Sequence, residues 1–189
     1  TLLHTIYAKF SEEEVDFVIH LGDMTAGRLT PKRAGELFLP ADPEIQATYV
    51  LEQYPLGRRF KTYVISGTRD LAFKAARRAS VNMVRRICGD ESRSDFMYRG
   101  DLSATLQVKK VRIEAINPGE DYAPYTKSYP LQNILNTLSA EGRANLPQDE
   151  EDAVIVLLGG SHVYDHTKLG GMHGVLVPSL QSRTPYQSG

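Results

Sequence analysis

A carboxylate at the end of a short apolar run is well placed for chemistry, and the chain offers one early. In Asp16-Phe17-Val18-Ile19-His20-Leu21-Gly22-Asp23 the apolar stretch predicts a buried strand that delivers Asp23 at its carboxyl end. Such a residue can hold a cation, or it can simply turn the chain, since turns favour aspartate. A second turn of this kind follows in Val64-Ile65-Ser66-Gly67-Thr68-Arg69-Asp70. Here the exposed position carries Arg69, whose permanent charge opposes a bound cation and which cannot donate a proton. Thr68 offers a hydroxyl, a poor ligand for a transition metal. Near the carboxyl end, "LLGGSHVYDH" places His162 and His166 four residues apart. On a helix both would reach one ion, but Gly159-Gly160 and the preceding apolar run predict a strand end and a loop. The remaining histidines are read as packing or loop residues, with His20 inside a buried strand, His4 on a helix and His173 beside a loop.

A third candidate is a run of positive charge. Lys74, Arg77, Arg78, Arg85 and Arg86 stand between 71 and 88 with no acidic residue among them. Arginine-rich helices usually cover apolar surface with their stems while the charges stay in water. The same pattern suits contact with the phosphates of RNA or DNA. Tyr122, Tyr125 and Tyr129 could stack on bases, although packing of a loop is the commoner role.

The elements that must position these residues are legible from the pattern. A helix is expected over 2–13. Asp42-Pro43-Glu44 marks the start of another, with an N-cap acid, a proline at the first position and a glutamate in the first turn, running to about Tyr54. Lys61 to Ile65 reads as a buried strand and Leu71 to Ile87 as an alanine- and arginine-rich helix stopped near Gly89. Strands follow at 104–108 and 111–116, a short helix at 131–138, and strands at 153–158 and 174–177. Alternating strands and helices predict an α/β protein.

Composition narrows the classes. A chain of 189 residues, 41% hydrophobic and 24% charged, is long enough for a sizeable core in one domain spanning 1–189. Lysine and arginine number 22 against 23 aspartates and glutamates, so no global charge draws it to nucleic acid or to an acidic membrane. The single cysteine, Cys88, excludes an internal disulfide and a cysteine zinc cluster, and is expected to be a helix-packing residue. No apolar run approaches a membrane span and no signal-peptide layout opens the chain, so an intracellular location without membrane is expected.

Four stretches, taken in order, resemble the calcineurin-like metallophosphoesterases of bacterial and phage type: "HLGDMTAG" at 20–27, "ISGTRD" at 65–70, "INPGEDYAPYTKSYPLQ" at 116–132 and "LLGGSHVYDH" at 157–166. The closing "VPSLQSRTPY" at 177–186 resembles the strand and loop that follow the last metal motif. The resemblance implies a four-layer α/β/β/α sandwich, two mixed sheets flanked by helices, with a first strand upstream of the opening helix. It also implies a site for two divalent metals (Mn, Fe, Zn or Mg) that polarise a phosphate and generate the attacking hydroxide.

Carried over position by position, the resemblance assigns Asp23 to the bridging carboxylate and His162 to the second histidine of Gly-His-x-His. Thr68 and Arg69 stand where the family has asparagine and histidine in Gly-Asn-His-Asp, Asn117 where it has the histidine of His-Pro, and Gly160 where it has the first histidine of Gly-His-x-His. Asp23 and His162 therefore remain as metal-ligand types while four positions depart. The expectation is a phosphoesterase-fold protein without two-metal hydrolysis or a resident cofactor, acting as a binding or structural subunit of a protein assembly. Arg69 would pair with Asp23 or bind phosphate, and the basic helix would contact nucleic acid. The alternative is an active metal-dependent phosphodiesterase, nuclease or phosphatase with a reorganised site.

Overall fold

The computed structural model describes residues 1–28, 39–57, 59–74, 82–119, 129–140, 153–160 and 163–180. It is an α/β protein with two sheets, and the chain divides into two compact units, Thr1–Leu102 and Ser103–Gly189.

The first unit opens with helix α1 (Leu2–Glu12), capped by the Thr1 hydroxyl, which accepts from the His4 N–H. Strand β1 (Phe17–His20) leads to helix α2 (Pro43–Gln53), where the Asp42 carboxylate accepts from the Glu44 and Ile45 N–H groups as the sequence pattern requires. Strand β2 (Lys61–Ser66) runs into a single turn of helix, α3 (Thr68–Leu71). Helix α4 (Met83–Cys88), a 3-10 turn (Glu91–Arg93) and strand β3 (Phe96–Asp101) complete the unit. The strands are all parallel in the order β1-β2-β3, with His20 opposite Val64 and an irregularity in the β2–β3 register between Val64 and Ile65.

One face of β2 explains the packing. Val64 meets Ala47 and Val50 of α2, Met83, Val84 and Ile87 of α4, Phe73 and Phe96 in a buried cluster. Each fully buried side chain of this kind contributes about 1.5–3 kcal/mol relative to exposure. On the same face the Thr62 hydroxyl bonds the Tyr7 hydroxyl of α1 at 2.9 Å. The opposite face carries Tyr63, whose ring meets Phe17 and lies under the Arg99 guanidinium.

The expected continuous helix from 71 to 88 is corrected. Asn82 is extended, with φ −80° and ψ 111°, and its side chain accepts from the Arg85 N–H, so it starts a new helix rather than continuing one. Residues 75–81 lie outside the described residues, and Arg77 and Arg78 with them.

The second unit is a five-stranded mixed sheet of β4 (Ser103–Val108), β5 (Val111–Ile116), β6 (Ala153–Leu158), β7 (Asp165–Leu169) and β8 (Met172–Leu176) in the order β4-β5-β6-β8-β7. The central β5, β6 and β8 are parallel, and β4 and β7 close the edges as antiparallel hairpin partners. Helix α5 (Tyr129–Ala140) lies between β5 and β6 in the chain and buries Leu131 and Leu135 against Val154, Val156, Leu158, Met172 and Leu176. Gly174 permits this approach: a β-carbon there would stand 2.7 Å from Leu131 Cδ1 and 2.9 Å from Leu135 Cδ1. The sequence pattern shows neither β3 nor β7, and His166, expected in a loop, lies on strand β7. Among the described residues no helix is long and apolar enough to cross a membrane.

Candidate functional site

In open parallel α/β sheets ligands gather at the carboxyl ends of the strands, and the first unit concentrates its polar structure there. After β1 the chain reverses through two left-handed residues, Gly22 at φ 86° and Asp23 at φ 56°. Aspartate tolerates this conformation better than most residues. The reversal brings the Asp23 carboxylate to the turn after β2, where Oδ1 accepts from the Arg69 backbone N–H at 3.0 Å. Asp23 and Arg69 thus meet through the main chain of Arg69. Gly67 is held tightly against the same carboxylate. A β-carbon on Gly67 would overlap Asp23 N and Oδ1 and lie 2.6 Å from its Cγ.

A second carboxylate makes the reciprocal connection. Asp70 is fully buried and accepts from the Gly67 N–H at 2.9 Å, which closes the α3 turn. It also accepts from the Thr25 N–H and the Thr25 hydroxyl, each at 2.8 Å, and from the Met24 N–H at 3.3 Å. Asp23 and Asp70 therefore cross-brace the two turns, each accepting from the other's loop. Burial, with a smaller contribution from the nearby Asp23 charge, pushes the Asp70 carboxyl up to about 6 against the lowering effect of the N–H groups. Gln46 of α2 fixes the far end of the first loop, donating to the Gly27 and Pro40 carbonyls and accepting from the Gly27 N–H.

Beside this brace lies a network at the ends of β2 and β3. Asp101 Oδ1 accepts from Asn82 at 2.5 Å and from the Tyr98 hydroxyl at 2.6 Å, and Oδ2 accepts from Lys74 at 3.2 Å. The Tyr98 bond, then the Lys74 charge, hold the Asp101 carboxyl below its ordinary range despite partial burial. The Ser66 hydroxyl donates to Asn82 Oδ1 at 3.0 Å.

Of the five basic residues expected on one helix, the three described ones meet partners. Lys74 pairs with Asp101, Arg86 with Glu44, and the Arg85 guanidinium lies 4.8 Å from the centre of the Tyr98 ring. Among the described residues, the buried Thr68 Oγ1 and His20 Nδ1 have no hydrogen-bond partner. Burial drives His20 down to about 4, so its ring is neutral at pH 7. Cys88 ends α4, and its thiol is pushed up to about 12, chiefly by burial.

The second unit joins two further positions. Asn117, just beyond β5, is buried and accepts from the Gly119 N–H at 3.2 Å. Gly160, just beyond the neighbouring β6, has φ 79°, and a β-carbon there would lie 3.6 Å from Asn117 Oδ1. The left-handed backbone at Gly160 disfavours the histidine that the family resemblance would place there. His162 lies outside the described residues.

These donors do not fit a two-metal group. Thr68, Arg69 and Gly160 supply no ligand of the required type. Among the described residues no three His, Cys, Asp or Glu side chains gather around a common point. Compared with known proteins, the chain matches no family model and no curated sequence.

Asp70, Thr25, Gln46, Ser66, Asn82, Tyr98 and Asp101 were not among the residues expected to matter. The signal for Asp70 was present in Gly67-Thr68-Arg69-Asp70, because an acid three residues after a helix cap reaches back to the cap N–H.

Proposed function

We propose that the chain is a metallophosphoesterase-like protein that has lost two-metal hydrolysis and serves as a binding or structural subunit. The observation that carries this reading is the cross-brace. The carboxylates at the carboxyl ends of the parallel strands are used to lock two turns together, Asp23 through the Arg69 N–H and Asp70 through Gly67, Met24 and Thr25. A metal centre needs several acidic or imidazole ligands converging on one cation, and the turn that meets Asp23 supplies Thr68 and Arg69 in their place.

The proposed architecture is the four-layer sandwich of the resemblance. It is supported within each unit by itself, because the helix-packed clusters involve Thr62 and Val64 on one face of β2, and Val154, Val156 and Leu158 on one face of β6. The other face of each sheet carries Tyr63 in the first unit and Ile155 and Leu157 in the second, which the proposed architecture would place between the layers.

A protein partner is favoured over nucleic acid by the charges. Lys74 and Arg86 are already neutralised by Asp101 and Glu44, and Arg85 packs on Tyr98. Phosphate-backbone binding draws on unpaired cations and weakens steeply with salt.

Calorimetric titration with Mn2+ tests the proposal. The expected result is no pair of ions whose binding depends on Asp23. Two ions per chain, lost in Asp23→Asn, would restore the reading of an active metallophosphoesterase.

A further inference from the structure

The β7–β8 hairpin carries a feature that the proposed function does not use. His166 lies opposite Val175 and Lys168 opposite His173, so His166 and His173 are diagonal neighbours on one face of the hairpin. Side chains at diagonal positions of antiparallel strands are within reach of one another when they are long or aromatic. Here they meet: His166 Nε2 and His173 Nδ1 are 3.3 Å apart. The ring planes differ by 13° and the centroids are 5.5 Å apart, which is the nitrogen separation plus one ring radius at either end. The two imidazoles therefore lie edge to edge, with a nitrogen of each aimed at the other.

Two neutral imidazoles facing in this way share one proton, one nitrogen donating and the other accepting. A shared cation needs a similar separation with the lone pairs inclined toward the ion, so the exposed His166 ring must turn to receive it. In tetrahedral coordination at about 2.0–2.1 Å, two nitrogen ligands stand roughly 3.3–3.4 Å apart. We propose that His166 and His173 form a two-imidazole site for a borderline divalent transition metal of the Zn2+, Ni2+ or Cu2+ class, with water completing the coordination.

The scaffold favours the site. Both residues belong to strands closed by a tight turn at Gly170, so the ligands are held by a ladder rather than by a loop. His166 is exposed and His173 half-buried, which leaves the first ring free to turn toward an ion while the second is held. Binding replaces the imidazole hydrogen bond. The neighbouring charged groups are Lys168, across from His173, and Asp165, whose carboxylate accepts from the His166 backbone N–H. Imidazole nitrogens select Zn, Cu and Ni over Mg and Ca, so hard cations are not bound here. The inference does not depend on the function proposed above.

Calorimetric titration of the whole chain with Zn2+, with Cu2+ electron paramagnetic resonance as a second readout, tests it. The expected result is one saturable ion per chain and a Cu2+ signal with two nitrogen ligands. His166→Ala and His173→Ala should each weaken binding at least about tenfold, since even loss of an outer-shell partner costs 10–100-fold, while His4→Ala should not. His166 is exposed, so its variant keeps the fold if the His173 variant does not. Absence of saturable binding overturns the proposal. So does binding that survives both His166→Ala and His173→Ala and disappears in His162→Ala.

Discussion

Asp70 gives the account a quantitative test through pH. Its carboxyl titrates near 3.8 when unperturbed and is pushed up to about 6 in the folded chain. A shift of this size corresponds to about 3 kcal/mol. The folded state holds the proton more tightly, so this contribution to stability is fully present below pH 3.8 and is lost as pH rises through 6. His20 acts in the opposite sense. Burial lowers it from 6.5 to about 4, so its contribution is present above pH 6.5 and is lost as pH falls through 4, again by about 3 kcal/mol. The two effects oppose one another across nearly the same window, and the intact protein should show a muted pH profile from this pair. Single variants separate them. Urea denaturation of the wild type and Asp70→Asn should show the wild-type advantage greater at pH 4 than at pH 7 by about 2 kcal/mol, since pH 4 lies just above the unperturbed value. For His20→Leu the same comparison should run the other way, with the wild type relatively better at pH 7. A difference between wild type and Asp70→Asn that does not change with pH would refute the argument from burial. A reversed difference would mean that the N–H groups around Asp70 outweigh desolvation.

Gly67→Ala forces a β-carbon into Asp23, and at least about 1–3 kcal/mol of stability should be lost, the usual cost of overpacking; denaturant midpoints that match the wild type would remove the interlock from the account. Arg93 and Asp95 form a buried pair at 2.8 Å, and Arg93 also donates to the Tyr54 and Pro55 carbonyls. Arg93→Met should therefore destabilise by about 3–5 kcal/mol through the carboxylate left unpaired, with thermal or urea unfolding as the readout. At pH 8 Cys88 should react with a soluble disulfide reagent at least about a hundredfold more slowly than a free cysteine, because its thiol is pushed up to about 12; comparable rates would show that the thiol is not protected.

Most of the helices and strands are legible because their residues obey a simple period or carry a cap. Asp42-Pro43-Glu44 marks α2, and the uninterrupted apolar run at 153–158 marks β6. The elements that escape are those whose stability comes from elsewhere. Asp165-His166-Thr167-Lys168-Leu169 is a polar edge strand, ordered by pairing with β8, and has no apolar alternation of its own. Phe96–Asp101 ends in arginine, glycine and aspartate, and it is the parallel ladder with β2 that extends it. Alanine and arginine suggest one long helix after 71, yet Asn82 caps a new one through the Arg85 N–H, a side-chain effect that propensity does not register.

The candidate site divides in the same way. Asp23 and the turn at 67–70 stand out in the sequence because each follows an apolar strand. Their cross-bracing does not, since it depends on parallel pairing that brings residues more than forty positions apart into hydrogen-bond distance. The Ser66, Asn82, Tyr98 and Asp101 network is hidden for the same reason, because the β2–β3 register gathers three of those side chains and the cap of α4 brings the fourth.

Turnover of a generic phosphodiester by the whole chain with added Mn2+, measured beside Asp23→Asn, tests the central claim most directly. The account predicts no hydrolysis above the uncatalysed rate in either protein. Metal-dependent turnover abolished by Asp23→Asn would contradict it.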